Sequence, residues 1–284
     1  MRRIIYSFFI DIPDELLVSH HESKTKFADN YDWLLASQKR YAEKIGVEYK
    51  HFTRDEAFND YVKWFNDNYP DISFYNIINF WKIRLMVDLA KEYDEVLYLD
   101  IDVIPVTNLN FFNEIDLTKG IAIMTGTHIN QVSVTKDSTY RYTHHIRSPM
   151  AKMWNSRCMI AERGLWVDEP EVFNTAIVGA RKEFLDKLGY FDNFEDTLDL
   201  MTNMISDIDF YPESISYMFG YDNETVWGYK TYINKVEYQE LGGDWHYIMD
   251  KWSYVNKDAK FIHCISKDFD YVRKWCEKNN IQLI

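Results

Sequence analysis

The feature that most constrains the fold is a junction. Residues 79–93 (NFWKIRLMVDLAKEY) carry apolar side chains at helical spacing, with Trp81, Leu85, Val87, Leu89 and Ala90 as the expected buried positions. Almost at once EVLYLDI (95–101) follows, a run apolar enough to be a strand buried on both faces. A helix feeding directly into such a strand is half of a β-α-β unit, because both faces of a strand are hidden only where helices cover the sheet. Upstream, 4–10 is another apolar run. Residues 31–45 have apolar side chains at 34, 35, 41, 42 and 45 and stop at Gly46, and 47–52 alternate as a short strand. This β-α-β-α-β order predicts an α/β fold with a mostly parallel central sheet and helices on both faces. Ligands of such sheets sit outside the carboxyl ends of the strands.

The rest of the chain is read more coarsely. Residues 125–170 are polar with weak periodicity, and an excursion over the sheet is expected, with a short hairpin and a helix. Strands are expected at 172–180 and 259–265, and helices at 182–188, 194–205, 223–234 and 271–278. Neither an internal repeat nor a linker interrupts the pattern, so 1–284 is expected to form one domain.

Charge excludes several functions. With 32 basic against 45 acidic residues, the net charge of −13 argues against general nucleic-acid binding or adhesion to anionic lipid. An anionic ligand needs a metal ion or a local basic cluster. Cys158, Cys264 and Cys276 form no CxxC pair, so reduced thiols and a cytoplasmic location are expected. No run approaches the ~18 apolar residues of a membrane span. The N-terminal apolar run meets Asp11 too soon for a signal peptide.

The chemistry concentrates at VLYLDIDVIP (96–105). Asp100 and Asp102 are two apart, so an extended chain points both carboxylates to one face, at the ligand edge of the sheet. Two carboxylates that close repel unless a cation lies between them. Hard divalent ions such as Mn2+ or Mg2+ suit them, with phosphate and water filling the remaining positions. The plain alternative is an acidic turn after a strand.

A helix, then EVLYLDIDVIP, then FNTAIV further on, together resemble the nucleotide-sugar-dependent glycosyltransferases of the GT-A fold, especially the family 8-like group that includes glycogenin and bacterial lipooligosaccharide galactosyltransferases. The resemblance implies that Asp100 and Asp102 bind a metal ion that grips the donor's diphosphate. It implies a donor contact from Lys82, with Arg84 as second choice; the plain reading is that both are solvated helix charges. In VFNTAIVGA it places Asn174 on the donor sugar. YDNETVWGY is similar to the family's acidic D-Q-D stretch and brings in Asp222, Asn223 and Glu224, although Asp222 also reads as an ordinary helix N-cap. The family's C-terminal metal histidine becomes His263 of FIHCISKD, with His246 as rival, and an imidazole favours Mn2+ over Mg2+. Ser266, Lys267 and Asp268 replace the family's glycine and lysine-proline-tryptophan run, leaving Lys267 as the phosphate candidate. His144 and His145 are expected on a surface loop.

The resemblance implies transfer of a hexose from a nucleoside diphosphate sugar, with UDP as the carrier, to a hydroxyl of a glycan or protein, with retention. Were the enzyme to invert, Asp222 or Glu224 would be the candidate base. Residues 1–124 would form the nucleotide-binding half. Residues 125–284 would form the acceptor-side half, covered by 125–170 with Trp154 and Trp166. Two rivals stay open: a metal-dependent phosphohydrolase using Asp100, disfavoured because Ile104 stands where such enzymes carry Thr, and a non-catalytic sugar-nucleotide-binding protein.

Overall fold

A computed structural model of the chain describes residues 1–16, 21–126, 147–207, 219–249 and 256–280. The elements in order are β1 (Arg3–Phe8), α1 (His21–Ile45), β2 (Glu48–Phe52), α2 (Glu56–Asn68), α3 (Phe74–Leu89), β3 (Glu95–Leu99), β4 (Val103–Pro105), α4 (Phe111–Glu114) and β5 (Ile121–Thr125). They continue with α5 (Arg147–Glu162), β6 (Phe173–Arg181), α6 (Lys182–Leu188), α7 (Phe194–Ser206), α8 (Asn223–Ile233), β7 (Tyr238–Glu240), β8 (Tyr247–Met249), β9 (Phe261–Cys264) and α9 (Phe269–Lys278).

The main sheet has the order β2-β1-β3-β6-β5-β7. β1 pairs parallel with β2 and β3, and β5 with β7, whereas β6 runs antiparallel to both β3 and β5. One strand is therefore reversed in a sheet that otherwise points one way. Alternation along the strands divides the core. Ile4, Tyr6, Val96 and Tyr98 face a cluster that includes Phe58 and Phe65 of α2, Phe80 and Ile83 of α3, and Trp227 of α8. Ile5, Leu97 and Leu99 face the opposite cluster, with Tyr41 and Ala42 of α1 and Phe111 of α4. Helices thus cover both faces, as the doubly apolar strands require.

A second sheet, β4-β9-β8, is not foreshadowed as a sheet in the sequence pattern. It has its own core, in which Ile104, Tyr247 and Ile262 pack with Leu34 of α1 and with Val272 and Trp275 of α9. Its strands are three or four residues long, too short for periodicity to register.

Helix α3 begins five residues before its expected start, where Ser73 Oγ accepts from Asn76 N at 3.3 Å as an N-cap. Helix α2 carries the same kind of cap, with Asp55 Oδ1 accepting from Phe58 N at 2.8 Å. Residues 127–146, including His144 and His145, lie outside the described residues. No described helix is long and apolar enough to cross a membrane.

Candidate active site

A cleft of about 830 Å³ opens at the carboxyl ends of β1 and β3. Its lining includes Lys82, Asp100, Asp102, Asn174, Asp222, Asn223, Glu224, His263 and Lys267. Every residue singled out above for metal, donor or catalysis is therefore present on one surface, with the exceptions of Arg84 and the rival ligand His246. Arg84 is exposed, pairs with Asp88 at 3.1 Å and lies over the Phe191 ring at 5.6 Å. The reason is helical geometry: two residues along α3 turn the side chain by about 200°, so Lys82 and Arg84 cannot share a face. Lys82 is buried, and its Nζ stands 3.3 Å from Asp100 Oδ1.

The acidic pair departs from its expected geometry. β3 ends at Leu99, and Val103 N donates to Asp100 O at 2.9 Å, so Asp100-Ile101-Asp102 is a turn and not extended strand. This turn joins the main sheet to the small one. Asp100 N donates to Ala176 O of β6 at 2.8 Å, while Asp102 O accepts from Cys264 N of β9 at 3.1 Å. The carboxylates converge because the turn is held from both sheets, not because of the strand's pleat. Gln38 of α1, fully buried, fastens it further: its Nε2 donates to Asp100 O at 2.8 Å and to Val103 O at 2.9 Å. Behind Gln38 runs a half-buried polar chain. Tyr49 Oη donates to Gln38 Oε1 at 3.1 Å and bonds Ser7 Oγ at 2.6 Å; His51 joins Ser7 at 2.7 Å and Tyr31 at 2.7 Å. Burial pushes the His51 imidazole down to about 4, so it stays neutral there.

The pairing of β4 with β9 sets Val103 opposite His263, which brings His263 beside Asp102. Its Nε2 is 3.5 Å from Asp102 Oδ2. One ligand atom each from Asp100, Asp102 and His263 lies within 4.8 Å of the others. Two carboxylates and an imidazole are a donor set suited to Mn2+ and acceptable to Mg2+. His246 is not a member: it lies fully buried behind His263, with its Nε2 3.0 Å from His263 Nδ1.

Each aspartate also meets a lysine. Lys267 has φ +56°, left-handed for a non-glycine residue, and that backbone brings its Nζ into an ion pair with Asp102. Burial of Asp102 disfavours its charge, but Lys267 and then His263 outweigh burial and hold the carboxyl well below the usual range. Asp100 keeps a side-chain exposure of 27% and accepts from the Tyr98 hydroxyl. Burial, then Asp100, pushes the Tyr98 phenol well up, so it remains a donor. The aspartates are thus neutralised by cations yet remain on the cleft wall.

The opposite wall comes from β6 and α8. On β5, Ile123 pairs with Val178 and Met124 already pairs with Asn174, so β6 bulges through 175–177. The bulge is what puts Asn174 into the cleft. Asn174 Oδ1 accepts from Ala176 N at 3.0 Å and so stiffens the bulge. Asp222 is both a cleft residue and an N-cap: its Oδ1 accepts from Glu224 N at 3.0 Å and Thr225 N at 2.9 Å. Asn223 is buried and donates to Thr175 Oγ1 at 2.9 Å. Glu224 accepts from Thr175 N at 2.7 Å and forms an ion pair with Lys152.

Lys152 is the cleft residue that sequence reasoning missed. It comes from α5, in the stretch where periodicity was too weak to assign faces. Burial works against its ammonium, but Asp222 and Glu224 outweigh burial and raise its pKa above the ordinary lysine value. Conversely, burial disfavours the Glu224 carboxylate, and Lys152 then Lys82 overturn that and lower its pKa. Trp154 and Trp166 do not line the cleft: they flank Arg157, whose guanidinium lies 4.9 Å and 4.6 Å from their ring centroids.

Comparison with known proteins gives the arrangement a family. Residues 12–183 match the family described as "Glycosyl transferase family 8". No curated protein matches the chain by sequence. Among solved structures, a glycosyltransferase involved in glycosylation of the major capsid of PBCV-1 is similar over 99% of this chain and 100% of its own, at 14% identity and a TM-score of 0.44. Mouse xyloside xylosyltransferase 1 covers 93% of this chain and 98% of its own at 11% identity and a TM-score of 0.46. The galactosyltransferase LgtC, solved with donor and acceptor sugar analogs, covers 98% and 95% at 12% identity and a TM-score of 0.44. The matched span takes in Lys82, Asp100, Asp102 and Asn174 and is more than half of the 284 residues; the chain is a glycosyltransferase that belongs to family 8.

Proposed function

We propose that the protein transfers a hexosyl group from a nucleoside diphosphate sugar, with UDP as the carrier, to a hydroxyl of a glycan or protein. The observation that carries this reading is the convergence of Asp100, Asp102 and His263 within 4.8 Å at the edge of the cleft. These three residues would hold Mn2+, or Mg2+ in its place. When bound, such an ion supplies positive charge to the diphosphate as the glycosidic bond breaks.

The chain's own residues do the rest. Lys82 and Lys267 stand beside the two aspartates and are positioned to follow the diphosphate's charge. Asn174, Asp222, Asn223 and Glu224 form the opposite wall, where the donor sugar and the acceptor hydroxyl would meet. Their mutual hydrogen bonds keep that wall fixed before substrate arrives. Among the described residues of this wall, Glu224 is held by Lys152 and Thr175, and Asp222 Oδ1 is engaged as an N-cap, so neither is set up as an unencumbered nucleophile through those atoms. That supports retention through same-face attack over a covalent intermediate. In this assignment residues 1–124 carry most of the nucleotide side, residues 125–284 carry the acceptor side and add His263 and Lys267 to the metal side, and the enzyme works in the cytoplasm.

The test is a panel of UDP-, GDP- and ADP-sugars, each with and without Mn2+, with release of nucleoside diphosphate measured and the product anomer read by NMR. Metal-dependent release from one donor, with the anomer retained, is expected. Release of phosphate from phosphomonoesters instead, or donor binding with no turnover toward any acceptor, overturns the assignment.

A further inference from the structure

We infer that His246 is a positioning residue for the metal centre, accepting the Nδ1 proton of His263 and so fixing the tautomer in which His263 Nε2 can ligate. The inference rests on the metal site proposed above and concerns how the chain prepares that site.

A neutral imidazole carries one proton. For His263 to ligate through Nε2, beside Asp102, that proton must be on Nδ1. His263 is 6% exposed, so a proton on Nδ1 needs an acceptor within the protein. The structure gives Nδ1 the partner His246 Nε2 at 3.0 Å, with ring centroids 5.2 Å apart and planes inclined by 45°. His246 is fully buried. Two hydrogen bonds hold its backbone in a turn, Trp245 N to Gly242 O at 2.9 Å and His246 N to Gly242 O at 3.1 Å. The chain then enters β8, where Ile248 pairs with His263 itself. The contact is therefore built by the small sheet and does not depend on a loose side chain.

With an ion held at His263 Nε2, the ring's remaining proton would be on Nδ1, and His246 Nε2 at 3.0 Å would be the acceptor that keeps it there. Ligating histidines are commonly oriented by a carboxylate or a carbonyl. A carboxylate here would add a third buried negative charge near Asp100 and Asp102. A neutral imidazole orients the ligand without that charge.

The test titrates Mn2+ into the full chain without nucleotide, following loss of the aqueous Mn2+ signal by EPR. His246→Phe keeps the ring volume and removes the acceptor; affinity is expected to fall by roughly 10- to 100-fold. His246→Gln places an amide oxygen near the lost Nε2 and is expected to restore affinity to within a few-fold of the parent. Parental affinity in the Phe variant, or a Gln variant as weak as Phe, overturns the inference while leaving the metal site intact. Asp102→Asn is the control: if it too binds Mn2+ like the parent, the metal site itself is wrong. Should His246→Phe fail to fold, 15N-histidine NMR of the parent loaded with Cd2+ decides. A proton on His263 Nδ1 and none on His246 Nε2 is expected, and a protonated His246 Nε2 overturns the inference.

Discussion

The two walls of the cleft are built on opposite plans. On the metal side, Asp100 and Asp102 belong to a turn whose backbone is held by Gln38, Ala176 and Cys264, leaving the carboxylates to meet only cationic or hydroxyl groups. On the sugar side, the side chains of Asn174, Asp222 and Glu224 themselves accept from backbone N–H groups, and Asn223 donates to the Thr175 hydroxyl. One wall keeps its charges available; the other commits its polar atoms to its own rigidity. Substitutions on the first should therefore damage chemistry most, with a stability loss where they strand a partner such as Lys267, and substitutions on the second should loosen the wall itself.

The largest expected effect is on the metal side. Asp102→Asn should lower kcat by at least about 10²-fold while far-UV circular dichroism stays that of the parent. Undiminished turnover would remove the metal role. On the sugar side, Lys152→Met strands Glu224, whose side chain is 11% exposed, and should cost about 3 kcal/mol in urea unfolding. The double variant Lys152→Met/Glu224→Gln should recover most of that loss; a double variant no more stable than the single one would show that the pair is not what holds α5 against α8.

A smaller effect separates the supports behind the two walls by pH. His51, in the chain behind Gln38, is held near 4 by burial, whereas an unfolded histidine titrates near ~6.5. The unfolded state takes up the proton first, so this contribution to stability is complete above ~6.5 and declines as pH falls toward 4. Glu224 has the opposite sign of group but a lower window. Its pKa is depressed in the fold, so its stabilisation is present above the ordinary glutamate value of ~4.3 and is lost only as pH falls below that. Urea midpoints taken from pH 7 to pH 4 should therefore fall less steeply in His51→Gln and unchanged in slope in Glu224→Gln. The reverse pattern would exchange the two assignments. The smallest effect is Arg84→Ala: donor KM should not change and stability should move by less than about 0.5 kcal/mol, since its ion pair with Asp88 is an exposed i,i+4 contact.

How far the sequence reached differs by residue. The motif ranks Lys82 ahead of Arg84, and helical geometry explains why only one of them faces the cleft. Asp222 was readable as a cap and as a site residue, and it is both in position, because a cap at a helix start on a cleft wall serves the helix without leaving the wall. Lys152 gave no signal, because α5 is half-buried over much of its length and lacks a clear apolar stripe. Gln38 and His246 are buried polar residues whose sequence neighbours do not name their partners.

What the sequence determined by itself was the alternation of helix and doubly apolar strand, and with it a helix-covered sheet ending in an acidic motif. Those are local properties, written in period and composition. Which groups meet at that motif was decided only by the tertiary structure. The reversed β6 with its bulge, the turn at Asp100–Asp102 and the short β4-β9-β8 sheet bring together residues as far apart as Lys82, Asp102 and His263. Strands of three or four residues carry too little pattern to announce their pairing, so the register that sets His263 beside Asp102 and His246 exists only once the chain has packed.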